Sequence, residues 1–274
     1  MCFCIRPSPR HIAITYRRGV AIFLFISVAV FGDTLKLMSK DKSLRFSCIH
    51  SLICKGRVGG SVGTKHIMAQ LSIMSLQQCM EEIVSTSYRL LCQRIACRSI
   101  RVSSEAALQL HFGSILKDVG SLYEFWPTSK FSIDLEKQFT EIKTSKSNGK
   151  ARCDIFLTLE SQKESVCAAI ELKYFPKSEG ETTTDNRFAI LEDIENIEHY
   201  KAAGGPMTGY SIVFTTNPNY ADPNTRSGIN IGEGQTITGK VACSNNKYAV
   251  DLKGSYTFHW DSLPDNCYFL NLKF

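Results

Sequence analysis

Two short apolar segments carry charged residues where a β-strand would bury them. The segments are ARCDIFLTLE (residues 151–160) and VCAAIELKYF (166–175), and a polar stretch joins them. Both alternate and are rich in β-forming residues, so they predict the two strands of a hairpin. Side chains alternate between the faces of a strand, so Glu171 and Lys173 share one face. Burying such charges is costly unless they are paired or hold an ion, and the first strand adds another acid, Asp154.

The hairpin turn determines whether Asp154 can join the other two groups. A four-residue loop (161–164) places Asp154 directly opposite Glu171, and a two-residue loop (163–164) places it opposite Lys173. Both registers bring the three groups together, whereas a slip of one residue would send Asp154 to the other face. Two acids and an amine at one place predict a divalent metal site with a positioned water.

A third acid lies on a predicted helix before the hairpin. Residues 103–120 have helical spacing, and their apolar stripe consists of Leu108, Phe112, Ile115, Leu116 and Val119. Glu105 lies on this inward stripe, in the first turn. An acid there also suits the helix dipole, but a capping box is excluded because Val102, three residues earlier, cannot cap the helix. We favour a functional role for Glu105 over the dipole explanation.

This series of residues resembles the PD-(D/E)XK nuclease superfamily, which has the restriction-endonuclease-like fold. In that family a helix acid precedes a strand Asp, and Glu-x-Lys follows on the next strand. The corresponding residues here are Glu105, Asp154 in CDIFL, and Glu171-Leu172-Lys173 in AIELKYF. Cys153 stands where the family usually has Pro. The segments at 182–205 and 209–220 also resemble the helix and strand that follow the motif in uncharacterised bacterial nucleases, so the resemblance covers roughly residues 74–274.

The resemblance implies an α/β fold with a restriction-endonuclease-like core, in which helices flank a central mixed β-sheet. It also implies metal-dependent hydrolysis of DNA phosphodiester bonds. Asp154 and Glu171 would hold Mg²⁺, with Mn²⁺ as the alternative, and the backbone carbonyl of Leu172 would add a ligand. Lys173 would orient or help deprotonate the attacking water. Glu105 would contact the metal through water or steady Lys173.

Two alternatives compete with catalysis at this site. A buried ion pair that serves only the fold is one, but such pairs contribute little to stability, so we favour catalysis. A non-catalytic module that binds nucleic acid or protein on the same fold is the other. The resemblance implies an endonuclease in restriction or another defence against foreign DNA. A homodimer would supply two active sites for the two strands.

The distribution of charge limits where DNA can bind. The net charge is +6, but residues 1–67 hold 11 basic and 2 acidic residues, whereas residues 68–274 hold 21 and 24. A DNA-binding surface in the second part must therefore be local. The candidate phosphate contacts are Arg89, Arg94, Arg98, Arg101, Lys137, Lys143, Lys146, Lys150 and Arg152.

The first 67 residues differ in character from the nuclease-like domain predicted for residues 68–274. They predict a poorly organised leader with a basic start and a 14-residue apolar run at 19–32. That run is too short for a comfortable membrane span, although it has the outline of a signal peptide. A genuine leader, exported or in contact with the membrane, is one explanation. A misplaced start before Met68 or Met74 is the one we favour, and we expect no stable membrane association.

Two further expectations come from the rest of the chain. The 11 cysteines are odd in number and include no Cys-x-x-Cys pair, which predicts a reduced, cytoplasmic protein. Residues 187–203 predict a helix that precedes a strand at 209–216. Its acids are expected to form mostly a solvated face, and they are Glu192, Asp193, Glu195 and Glu198.

Overall fold

The chain divides into two compact units, Met1–Met74 and Ser75–Phe274. In the first unit, β1 (His11–Ile12), β2 (Ile26–Phe31) and β3 (Thr34–Met38) form an antiparallel sheet. The predicted boundary between residues 67 and 68 lies outside the described residues. Apart from these strands, the structure, a computed structural model, describes residues 74–124, 129–144, 147–177, 183–204, 207–225, 228–243 and 248–274.

The second unit is a mixed α/β fold in which helices flank a six-stranded sheet. Its helices are α1 (Leu76–Ala96), α2 (Glu105–Gly120) and α3 (Thr183–Gly204). Its strands are β4 (Lys130–Thr144), β5 (Ser147–Glu160), β6 (Ser165–Phe175), β7 (Met207–Thr215), β8 (Thr236–Ala242), β9 (Ala249–Thr257), β10 (Trp260–Leu263) and β11 (Cys267–Lys273). The order in the main sheet is β10-β11-β7-β6-β5-β4, and β8 and β9 form a separate pair.

The hairpin of β5 and β6 has the predicted four-residue loop. Ile155 pairs with Ile170, and the antiparallel ladder runs from there to the loop at residues 161–164. Continued by one residue, this register places Asp154 opposite Glu171. The paired residues thus have the register that the site hypothesis requires, but the ladder ends at Ile155, so Asp154 and Glu171 are not themselves a ladder pair.

The predicted helix at 103–120 is also present as α2. Ser104 caps it, because its hydroxyl oxygen accepts the Ala107 N–H at 3.1 Å. Glu105 is the first helical residue. The residues of the predicted apolar stripe are all buried, and they are Leu108, Phe112, Ile115, Leu116 and Val119.

Helix α3 lies against the face of the sheet that carries Ala169 and Glu171. β7 pairs parallel with β6, which sets Gly209 beside Ala169. A Cβ atom at Gly209 would lie only 2.0 Å from Ile197 Cγ2 on α3. The missing side chain thus lets α3 approach β7, the strand that pairs with β6.

We expect Gly209→Ala to lower the free energy of unfolding by about 1 to 3 kcal/mol, because the new methyl group overpacks this contact. The control is Gly228→Ala, where an added Cβ meets no atom within 4 Å. That change should stay within about 0.5 kcal/mol of the wild type. Urea unfolding measures both variants, and equal effects would show that α3 does not need the close approach.

The prediction that the acids of α3 mostly face solvent is wrong. The buried ones are Glu192, Asp193 and Glu195. β9 lies along the helix, and its backbone donates to buried Glu195 and half-buried Glu198: the Asp251 N–H bonds to Glu195 Oε1 at 2.8 Å, and the Gly254 N–H to Glu198 Oε1 at 2.8 Å. These carboxylates therefore serve as hydrogen-bond acceptors for the backbone of β9.

None of the helices in the described part of the chain is long and apolar enough to span a membrane.

Candidate functional site

Four carboxyl groups surround the Lys173 ammonium near the end of β6. Lys173 Nζ lies 2.9 Å from Asp193 Oδ2 and 3.9 Å from Glu105 Oε1. Asp154 and Glu171 are close enough to interact with its charge. The structure therefore brings together the three acids and the amine expected from the sequence, Glu105, Asp154, Glu171 and Lys173, and adds Asp193.

Asp154 lies where β5 stops following β6. The paired positions end at Ile155, and Asp154 Oδ2 accepts the Leu172 N–H at 2.7 Å. Cys153 and Phe156 pack in one apolar cluster, although residues three apart on a regular strand point to opposite faces. The side chains of β5 therefore change faces near Asp154. The Asp154 carboxylate accepts the Leu172 N–H in place of a backbone carbonyl of β5.

The neighbouring strand is irregular at the matching position. β4 pairs Lys137 with Cys153, which places Glu136 across from Asp154. Glu136 has a φ of 57°, in the left-handed region that residues with a Cβ atom seldom occupy. Such conformations persist only where the surroundings hold them, and they cluster at functional sites.

Glu171 is the most deeply buried acid of the cluster, with 3% of its surface exposed. The Tyr200 hydroxyl donates to Glu171 Oε1 at 2.8 Å, and the Tyr200 ring stacks on Phe139 with centroids 4.6 Å apart. Asp193 precedes Tyr200 by about two helical turns, so both lie on the same side of α3. This spacing lets Tyr200 contact Glu171 and Asp193 contact Lys173, both on β6.

Burial dominates the electrostatics of the cluster. It is the main cause that raises the pKa of the acids Glu105, Asp154, Glu171 and Asp193, and the pKa of Asp193 rises to about 7. For Glu171, the charges of Asp193 and Asp154 raise the pKa further. Burial also acts to lower the pKa of Lys173, but the surrounding acids outweigh it and raise that pKa above its ordinary value. Lys173 is therefore charged at neutral pH.

We expect this cluster to make the metal-free protein less stable as pH rises. A carboxyl with a raised pKa binds its proton more tightly in the folded state, so its contribution is complete below the unfolded pKa. For Asp193 the contribution is lost between the ordinary value of 3.8 and about 7. Lys173 does not oppose this trend, because it stays charged throughout that range.

Urea unfolding at pH 5 and pH 8 measures this loss of stability. Asp193→Asn should remove part of the difference between the two pH values, because the amide does not titrate. The same difference in the variant and the wild type would contradict the assignment.

Asp154 and Glu171 fit a hard cation that needs few protein ligands. Mg²⁺ is commonly bound by one or two carboxylates and keeps several waters. The Leu172 carbonyl, predicted as a further ligand, accepts a hydrogen bond from Lys173 Nζ at 3.1 Å and has a second lone pair. Within the described ranges, no three Cys, His, Asp or Glu side chains form a group that could chelate a metal. The two carboxylates are of the type that Mg²⁺ and Mn²⁺ prefer, and either ion would complete its coordination with water.

Four of the basic residues predicted to contact phosphate take part in ion pairs. α1 ends at Ala96, so Arg98 and Arg101 lie beyond the helix that carries Arg89 and Arg94. The side chains of Lys143, Lys146 and Lys150 lie outside the described part of the chain. The ion pairs at predicted positions are Arg89 with Glu82, Arg98 with Asp265, Lys137 with Asp134 and Arg152 with Glu136. Of these, the Arg152 pair lies beside the carboxyl cluster, because Glu136 faces Asp154.

The sequence does not predict Asp193 and Tyr200 as residues of the site. The acids of α3 are expected to face solvent, and no motif includes Tyr200. The seven-residue spacing of Asp193 and Tyr200 on a helix that directly follows Glu-x-Lys is the signal that points to them.

Comparison of the chain with protein-family models, with curated proteins and with solved structures yields no match.

Proposed function

We propose that this protein is a metal-dependent deoxyribonuclease that hydrolyses DNA phosphodiester bonds at the Lys173 cluster. The observation that carries the proposal is the convergence of Asp154, Glu171 and Glu105 on one lysine whose side chain is only 18% exposed. The order α2, β5, β6, α3, β7 agrees with the order that the family resemblance implies. We therefore also propose that the six-stranded sheet has a restriction-endonuclease-like core.

The charge balance of the cluster supports a bound cation. Four acids face one ammonium, and burial opposes their ionisation. A divalent cation between Asp154 and Glu171 would offset the excess negative charge and favour the ionised carboxylates. When bound, it would polarise a phosphoryl oxygen and lower the pKa of a coordinated water.

The other residues prepare the site for that chemistry. Lys173 keeps its proton because the surrounding acids raise its pKa, so we assign it to orienting the water and offsetting phosphate charge rather than to removing a proton. Asp193 holds the ammonium at 2.9 Å. Tyr200 holds the Glu171 carboxylate from the side of α3. Glu105, 46% exposed, lies where solvent and substrate can reach it.

The experiment that tests this function incubates the purified full chain with supercoiled plasmid, linear duplex, single-stranded DNA and RNA. Each substrate is offered with Mg²⁺, Mn²⁺ or EDTA. We expect cutting of DNA with either metal and none with EDTA. Cutting of RNA alone would change the substrate class, and no cutting of any substrate would favour the non-catalytic binding module.

The biological setting is part of the same proposal and rests on the resemblance alone. We propose a cytoplasmic enzyme of restriction or another defence against foreign DNA, and a homodimer that cuts both strands. Sedimentation of the full chain with and without duplex DNA tests the assembly. A monomer on DNA that still makes double-strand cuts would contradict it.

A further inference from the structure

Gln109 links β4 and β5, the two irregular strands of the site, through hydrogen bonds from α2. It lies on α2, one turn after Glu105. Its Nε2 donates to the backbone carbonyl of Asp154 at 2.7 Å and to Glu136 Oε1 at 2.9 Å. A side-chain amide nitrogen carries two hydrogens, so this one group can satisfy both acceptors. Because both partners only accept, they also determine which way the amide points.

Glu136 is held on both of its carboxylate oxygens. Gln109 donates to Oε1, and Arg152 Nε pairs with Oε2 at 2.5 Å. These contacts explain why a residue with a Cβ atom keeps a φ of 57° in the middle of a strand. The surroundings hold the strained backbone, as such conformations require.

The link acts at the point where Asp154 leaves the β6 ladder. Beyond Ile155 the two strands no longer pair, and the Asp154 carboxylate contacts β6 through the Leu172 N–H. Gln109 fixes the backbone of the same residue from the side of α2. The peptide and the carboxylate of Asp154 are thus held by different elements.

We propose that Gln109 is a positioning residue that keeps the Asp154 carboxylate on the Leu172 N–H and directed at the carboxyl cluster, and that Glu136 orients the Gln109 amide. The catalytic part of this inference rests on the proposed nuclease function. The positioning part does not, because the Asp154 to Leu172 hydrogen bond can be followed without metal or substrate.

Hydrogen exchange at the Leu172 amide tests the positioning directly. Gln109→Leu should speed that exchange about five- to tenfold, which corresponds to the loss of one hydrogen bond. The Ile170 amide, within the paired part of β6, should exchange as in the wild type. The control is Gln93→Leu, a similar change at an exposed position on α1. Unchanged exchange at Leu172 would overturn the proposal.

Two variants test the role of Glu136: one removes its hydrogen-bond acceptor and the other keeps an acceptor. Glu136→Gly tolerates the left-handed conformation but removes the acceptor for Gln109, so it should speed Leu172 exchange as Gln109→Leu does. Glu136→Gln keeps an oxygen acceptor and should therefore keep the slow Leu172 exchange of the wild type. Wild-type exchange in Glu136→Gly would overturn the assigned role of Glu136.

Cutting assays separate positioning from the nuclease function. Gln109→Leu should lower kcat at least about tenfold with little change in KM, because a misplaced ligand affects the chemical step more than DNA binding. If the wild type cuts no substrate but Gln109→Leu still speeds exchange at Leu172, the positioning role is supported and the nuclease function is refuted. Fast exchange with an unchanged kcat would overturn the catalytic part of the inference.

Discussion

Lys173→Met is expected to abolish cutting and to lower the free energy of unfolding at pH 8 by about 3 to 5 kcal/mol. The side chain is only 18% exposed, and its ammonium is the positive charge that faces the four acids of the cluster. Without it, Asp193 remains buried without its ion pair. Urea unfolding measures the stability, and plasmid cutting with Mg²⁺ measures the activity.

The matched control is Lys273→Met. Lys273 pairs with Glu81 at 2.6 Å, but both side chains are more than a third exposed. Exposed ion pairs contribute less than about 1 kcal/mol, so this variant should stay close to the wild type. The double variant Lys173→Met/Asp193→Asn should recover part of the lost stability, because it removes the orphaned charge. If Lys173→Met is as stable as the control, the buried ion pair is misassigned.

Glu171→Gln is expected to lose cutting while it gains stability. The amide keeps the size of the acid and an oxygen that can accept the Tyr200 hydroxyl, but it cannot supply the negative charge that holds a cation. Losing the metal contribution of several kcal/mol should slow cutting at least about a thousandfold. Burial and the neighbouring acids raise the pKa of Glu171, so a neutral group should stabilise the metal-free fold at pH 8.

Asp154→Asn should lose cutting to a similar extent. The control is Glu160→Gln, at the exposed end of β5, which should cut as the wild type does. Stability and activity that move in opposite directions at Glu171 are typical of functional sites. A Glu171→Gln variant that unfolds more easily than the wild type at pH 8, or cuts at the wild-type rate, would indicate that the carboxylate serves the fold instead.

The hairpin followed from the sequence because its determinants are local. Alternation identified the two strands, and the polar stretch between them left two possible loops, of which the four-residue loop is present. The position of Asp154 did not follow from the register, because the ladder ends at Ile155 and the Asp154 carboxylate accepts the Leu172 N–H. Glu105 lies in the first turn of α2 as predicted, but its side chain is 46% exposed instead of buried with the apolar stripe.

Asp193 was misassigned because α3 does not follow the usual amphipathic rule. The helix has the sheet on one side and β9 on another, so acids that a surface helix would expose are buried. Their acceptor oxygens are used by Lys173 and by backbone N–H groups of β9. The seven-residue spacing of Asp193 and Tyr200 indicates a shared face of the helix, but the sequence does not show which long-range partners that face meets.

Glu136 could not be predicted for a different reason. A left-handed residue is usually indicated by Gly or Asn, and here a glutamate takes that conformation. Its backbone is held by Gln109 and Arg152, which lie on other elements. The conformation is therefore a product of tertiary contacts rather than of local preference.

Calorimetric titration of the full chain with Mn²⁺ at pH 6.5, in two buffers with different heats of ionisation, tests the central claim most directly. We expect binding that releases protons, because Asp154 and Glu171 have raised pKa values and must ionise to hold the ion. The double variant Asp154→Asn/Glu171→Gln should not bind. A wild type that takes up no Mn²⁺, or a double variant that binds it equally well, would contradict a metal site formed by these two acids.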